Sequence, residues 1–170
     1  MSISHLSLVN QKLAHAGAII SLLNESQSRQ KLERQALFDA AVFHLQLGLH
    51  FYLRELADYH RIKNLSKIDS VQGLLLAMRE ADRVSSEASE LASLSEVGDS
   101  WLSQLSGAYA QLFKSPEKAK EKKAFGHEGL IELREVDDNA PIVFSPEHLD
   151  SWLNSFKALV IRQRNTCAEY

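Results

Sequence analysis

Cysteine, proline and glycine are all scarce in this chain of 170 residues, which contains one, three and seven of them. The single cysteine, Cys167, excludes a disulfide within the chain, so a reducing compartment is expected and we predict a cytoplasmic protein. So few turn-forming residues argue against an all-β fold. The sequence also has no run of about 18 apolar residues, and we therefore expect no membrane-spanning helix and no membrane partner.

A strong excess of charge of one sign is also missing. The net charge is −3 and the isoelectric point is about 6.2, which gives the protein no general attraction for nucleic acid. We therefore do not expect a nucleic-acid partner. The charge is uneven, because residues 69–113 contain two basic and seven acidic residues. This acidic segment is consistent with complementary packing charges and solubility, or with a docking surface for a basic partner.

The sequence does contain a strong helical period. Apolar residues recur at steps of three and four along most of the chain, which is the spacing of one face of an α-helix. The pattern predicts a first helix over residues 4–25 and a second, longer helix from about Ser28, its N-cap, to Arg61. A third helix is predicted to begin after Asp69 or Ser70.

A fourth helix is predicted from apolar residues in near-heptad order between Leu91 and Leu112, and it ends before Pro116. The polar stretch "SSEASELASLSE" between the third and fourth helices is open to two interpretations, a break between helices or a continuous polar turn.

The pattern changes between residues 114 and 144. This segment begins as a charged linker, and residues 130–144 contain two short β-like runs that predict a small hairpin or an irregular excursion. A final helix is then expected, with Ser145 as its N-cap and Pro146 in its first position. The prediction is an all-α fold, in which a single domain over residues 1–170 forms an antiparallel up-and-down bundle of four to five helices.

The stretch "AVFHLQLGLHFYLRELADYH", residues 41–60, holds three histidines within the second helix. Ala36, Ala40 and Gly48 form a stripe of small residues that lets a neighbouring helix approach closely, and His44 lies on this stripe. His44 is either a structural histidine bonded to another helix or a ligand in a pocket between helices. His15 of the first helix is the candidate to face it, whereas His50 falls on the polar side of the helix.

No recognised metal motif is present in the sequence. There is no HExxH pattern and no cluster of cysteine and histidine, so a metal would need ligands from several helices. One such set is His15, His44, Glu55, Asp58 and His127. Since nothing in the spacing requires this set, we expect no metal and no cofactor.

The spacing of Arg54 and His60 resembles that of the HEPN ribonucleases, which are also all-helical. The resemblance implies that His60 acts as an acid or base and that Arg54 stabilises the charge of the phosphorane. The two residues are about 120° apart around a continuous helix. The alternative interpretation is that "YHRIKN" marks the end of the second helix, where basic residues meet the negative end of the helix dipole.

Four blocks of the chain, "NQKLAHAG", "DAAVFHLQLGL", "SWLSQLSGAYAQLF" and "SWLNSFKALVIRQR", occur in an order that resembles a bacterial family classified as a domain of unknown function. The resemblance covers nearly the full length and is to proteins found mainly in pseudomonad-like gammaproteobacteria. It implies a single bacterial domain, and it assigns no activity, cofactor, partner or site residue.

The sequence as a whole favours a non-enzymatic helical interaction or adaptor module, with a protein partner or a second copy of itself. The first alternative is a HEPN-like ribonuclease that uses Arg54 and His60. The second is a bundle that binds a metal or small molecule around His44, in a pocket formed with His15, Ala40 and Gly48. The sequence names neither the partner nor the oligomeric state.

Overall fold

The computed structural model of the chain describes residues 4–25, 30–114 and 144–168. These ranges contain no strand and six α-helices: α1 (His5–Glu25), α2 (Lys31–Tyr59), α3 (Val71–Glu80), α4 (Ser86–Glu96), α5 (Trp101–Gln111) and α6 (Pro146–Ala168). A short 3-10 turn, Leu65–Lys67, lies between α2 and α3. The all-α prediction is therefore confirmed, with one helix more than expected. Apart from Lys114 and Phe144, the linker and hairpin predicted at 114–144 fall outside the described residues.

Serine side chains set the start of three helices. Ser70, Ser85 and Ser100 each accept a hydrogen bond from the backbone N–H three residues further on, at 3.1, 3.1 and 3.0 Å. Such N-caps satisfy one of the backbone donors that a helix leaves free at its start. The caps confirm the predicted start of α3 after Ser70.

The polar stretch "SSEASELASLSE" is a helix in its own right, and neither interpretation of it was correct. It forms α4, and the single fourth helix predicted from the heptad pattern is in fact α4 and α5. The chain leaves the helical conformation at Val97 and restarts at Ser100, whose hydroxyl also donates to the carbonyl of Leu94. The Ser28 prediction was also wrong, because α2 begins at Lys31 with Gln30 at the N-cap position.

The long helices alternate in direction. Two contacts between each pair of helices fix this order, because the residue numbers run in opposite directions along the two partners. These contacts are His5 with Asp58 and His15 with His44 for α1 and α2, Asn10 with Arg164 and Asn24 with Asp150 for α1 and α6, and Trp101 with Phe156 and Gln104 with Trp152 for α5 and α6. The helices α1, α2, α5 and α6 thus form the predicted up-and-down bundle, with α3 and α4 between α2 and α5.

Aromatic side chains of α2, α5 and α6 fill the centre of the bundle. Among the described residues, Tyr52, Trp152 and Phe156 are the largest fully buried side chains. The ring of Phe156 stacks on Trp101 with 5.3 Å between centroids, and it meets Tyr52 at 6.0 Å. The indole N–H of Trp152 donates to the side-chain carbonyl of Gln104 at 3.0 Å, so the one polar atom of this ring has a partner.

The central helix α2 is also the one described helix that is long and apolar enough to cross a membrane, judged by length and composition alone. The same composition is expected of a helix packed at the centre of a protein core, and nine residues of α2 are buried.

Candidate functional site

Gly48 packs against side chains of both α1 and α6. A Cβ built on it would lie 3.3 Å from Cε1 of Phe156 in α6 and 3.5 Å from Cδ2 of Leu13 in α1. The other end of the small-residue stripe is different, because Ala36 is exposed and Ala40 is half-buried. Gly48 is therefore occupied by core packing, while the first half of the stripe faces outwards.

His44 and His15 lie together, as helical geometry suggested. Their ring centroids are 5.2 Å apart and the rings are almost perpendicular. Within the described residues, Nδ1 of His44 is buried and has no hydrogen-bond partner, so the bond to another helix that we expected of a structural histidine is not present at this atom. Burial lowers the pKa of His44, and His15 and Lys12 lower it further.

The suggested metal ligands are divided among different contacts. Glu55 receives two hydrogen bonds from the guanidinium of Arg164, at 2.7 and 2.8 Å, and Asp58 pairs with His5 at 2.5 Å. His127 lies outside the described residues. No group of three or more histidine, cysteine, aspartate and glutamate side chains in the described ranges is placed to hold a metal ion.

Arg54 and His60 serve different parts of the structure. Nε of Arg54 donates to the backbone carbonyl of Ile68 at 3.2 Å, which ties α2 to the chain just before α3. His60 is the C-cap residue of α2, as the helix-end interpretation of "YHRIKN" requires. Its ring faces Tyr59, with 5.0 Å between centroids. The guanidinium that the ribonuclease hypothesis needs is therefore engaged by a backbone carbonyl.

A polar network on α6 was missed by the sequence analysis. Gln163 is 2% exposed, accepts a hydrogen bond from the hydroxyl of Tyr52 at 2.6 Å and donates to Glu90 at 2.8 Å. Arg162 donates to both carboxylate oxygens of Glu90 and lowers its pKa. Burial raises the pKa of Tyr52 well above its ordinary value. Gln163 follows Phe156 by seven residues and Val160 by three, so helical period alone could have placed it on the buried face.

A row of rings crosses the outside of the bundle from α1 over α2 to α5. We call it the aromatic surface, and it consists of His15, His44, Phe43, Tyr109 and Phe113. Phe43 lies 6.2 Å from His44 and 6.4 Å from Tyr109, which in turn lies 5.1 Å from Phe113, all between ring centroids. Phe43 is 44% exposed and Phe113 is 72% exposed. Large apolar side chains that are exposed together in this way mark interaction sites.

Comparison with known proteins identifies one family. No curated protein and no solved structure matches the chain. A model of a family of unknown function, DUF6586, matches residues 1–170. The chain therefore belongs to this family, as the order of its sequence blocks indicated.

Proposed function

We propose that this protein is a non-enzymatic interaction module whose aromatic surface binds a second copy of the chain. The observation that carries the proposal is the exposure of Phe43 and Phe113 within a continuous row of five rings. Aromatic residues contribute strongly to binding at protein interfaces because they bury a large area with little loss of side-chain freedom.

The lack of charge on α2 supports a second copy as the partner. From Ala40 to Leu53 this helix has no charged residue, so the α2 part of the surface meets the same part of a second copy without repulsion between like charges. In a twofold dimer each residue of the patch meets the same patch on the other copy. The exposed Ala36 lies about two turns before Phe43 on the same side of α2, and its small side chain lets a helix of the second copy approach closely.

His44 fits this role as an uncharged member of the surface. The lowered pKa of His44 keeps its ring neutral at neutral pH, which avoids the cost of burying a charge in an interface.

The test is a measurement of mass in solution, by light scattering after size exclusion, for the wild type and for Phe113→Glu. Phe113 is mostly exposed, so this substitution leaves the fold intact and places a charge on the surface. We expect a dimer for the wild type and a monomer for the variant. Val84→Glu is the matched control, since Val84 is 94% exposed and is not part of the aromatic surface. A wild type that stays monomeric at its highest soluble concentration would exclude the proposal, as would a Phe113→Glu dimer.

The two alternatives stay predictions with weaker support. RNA cleavage that depends on His60 would support the ribonuclease, although Arg54 already binds the carbonyl of Ile68. Metal content in protein purified without a histidine tag would support a site around His44.

A further inference from the structure

The C-terminal end of α2 is built on an arginine in an unusual conformation. Arg61 has a φ of 57°, in the left-handed region that glycine adopts readily and other residues avoid. Its N–H donates to the carbonyl of Asp58, and the N–H of Ile62 donates to the carbonyl of Ala57, both at 2.9 Å. These two bonds form a Schellman motif, whose left-handed position is usually glycine. Here the position carries a guanidinium group.

The C-terminal end of α3 repeats the same motif. Asp82 has a φ of 52°, its N–H donates to the carbonyl of Arg79, and the N–H of Arg83 donates to the carbonyl of Met78. The residue after the left-handed position in this motif is often apolar, because it packs against the helix. In α3 that residue is Arg83, which is exposed.

The two helix ends meet at one cavity. A polar cavity of about 340 Å³ is lined by Tyr59, His60, Arg61 and Arg83. Within the described ranges neither arginine makes an ion pair, and the three ion pairs found there involve Asp58, Glu55 and Glu90 with other partners.

No acidic side chain is among the described residues that line the cavity with the two guanidinium groups. Nε2 of His60 is buried and has no hydrogen-bond partner among the described residues. The hydroxyl of Tyr59 is used, because it donates to the carbonyl of Cys167 at 2.8 Å. Glu87 is the acid that interacts with His60, but its carboxylate accepts from the hydroxyl of Ser85 and does not line the cavity.

We propose that this cavity binds the phosphate group of a small phosphorylated molecule, held by Arg61 and Arg83. Two guanidinium forks that line one cavity from different helix ends suit an anion with three or four oxygens better than a carboxylate, which one fork satisfies. The cavity is larger than a bare phosphate ion requires, which leaves room for an organic part beside the ring of Tyr59.

The competing account is that each arginine only stabilises the negative end of its own helix. That account explains a positive charge near each C-terminus. It does not explain why the left-handed position of α2 carries an arginine, since glycine there would avoid the backbone strain. The two accounts predict different results for phosphate binding by Arg61→Gly. Binding is unchanged if Arg61 only stabilises its helix, and weaker if Arg61 holds the phosphate.

The test is a calorimetric titration at low salt with three probes: inorganic phosphate, phenyl phosphate and acetate. We expect the wild type to bind phenyl phosphate more tightly than inorganic phosphate, and acetate weakly. In Arg61→Gly and Arg83→Ala we expect affinity for both phosphate probes to fall by about tenfold or more, because each variant loses charge-assisted hydrogen bonds. In thermal unfolding without ligand we expect Arg61→Gly to be at least as stable as the wild type, since the strained position is relieved.

Two matched controls distinguish the loss of this site from the loss of any positive charge and from the introduction of a glycine. Arg79→Ala removes an exposed arginine from the last turn of α3 that does not line the cavity, and it leaves binding unchanged. Asn64→Gly introduces glycine at another left-handed position, where φ is 63°, and also leaves binding unchanged. The proposal is wrong if the wild type binds neither phosphate probe, if Arg61→Gly binds as the wild type does, or if Arg79→Ala weakens binding equally. Equal affinity for both phosphate probes assigns the site to the free ion instead of a phosphorylated molecule, and overturns the organic part of the proposal.

Discussion

The hydroxyl of Tyr52 donates a hydrogen bond of 2.6 Å to the side-chain carbonyl of Gln163, and both residues are buried. The bond joins α2 to α6 at the centre of the bundle. Gln163 uses its amide group to donate to Glu90 in α4, so three helices share one polar network. A buried polar group costs stability unless it is paired, and here each partner depends on the next.

Tyr52→Phe is therefore expected to destabilise the protein by about 1–3 kcal/mol, because it leaves the carbonyl of Gln163 buried without a donor. Urea denaturation followed by circular dichroism measures the change. Tyr59→Phe is the control: Tyr59 also donates to a carbonyl, at 2.8 Å from the oxygen of Cys167, but it is 46% exposed, so water can replace its bond. Equal losses for the two variants would contradict the role given to burial.

The sequence predicted those features of the fold that local chemistry controls. The Ser70 cap and the start of α6 at Pro146 follow from residue preferences within a single turn. The meeting of His15 and His44 also followed from helical period, which fixes the face of each side chain.

The missed features depend on partners far away in the chain. Gln163 is separated from Tyr52 by 111 positions, and no local pattern reveals that pair. The α4 helix has only two buried apolar residues, Ala88 and Leu91, and Arg162 holds it by its bond to Glu90. The arginine at the left-handed end of α2 gives no signal either, since glycine is the residue that marks such positions.

Two glycines give a matched prediction about packing. Gly48→Ala is expected to destabilise the protein by about 1–3 kcal/mol, because the new methyl group would lie 3.3 Å from the ring of Phe156 in a filled core. Gly107→Ala is expected to stabilise it by about 0.5–1 kcal/mol, because that position lies inside α5 with no atom within 4 Å of the added Cβ. Thermal unfolding of both variants checks the signs. A stabilised Gly48→Ala would show that α1 and α6 can move apart at no cost.

Ser85→Ala tests the cap of α4. The hydroxyl of Ser85 accepts from the N–H of Ala88 at 3.1 Å and donates to Glu87 at 2.9 Å, and the residue is 6% exposed. We expect a loss of about 1–2 kcal/mol, at the upper end of the range for N-caps. Ser70→Ala removes the equivalent cap of α3 at an exposed site and should cost about half as much. The result to check by urea denaturation is the order of the two losses, and the reverse order would contradict this prediction.

Acidification provides a further prediction, because the pKa values of three histidines are lowered in the folded protein. Burial is the main cause for His44, His50 and His60, and the pKa of each lies below the ordinary value of 6.5. As the pH falls through 6.5 the unfolded chain takes up these protons first, so the free energy of unfolding decreases until the folded pKa values are reached. The contribution of these residues to the free energy of unfolding is therefore fully present above about pH 7, and it is lost as the pH falls below that value.

His15→Gln isolates one cause of this dependence. The charge of His15 is the second cause of the lowered pKa of His44, after burial, and Lys12 is the third. Removing His15 should therefore raise the pKa of His44 towards 6.5, and Lys12→Gln should raise it by less, since its contribution is smaller. Two-dimensional NMR of the imidazole resonances measures both shifts directly. If His15→Gln left the pKa of His44 unchanged, the contact between the two rings would carry no electrostatic coupling, and burial together with Lys12 would account for the lowered pKa of His44.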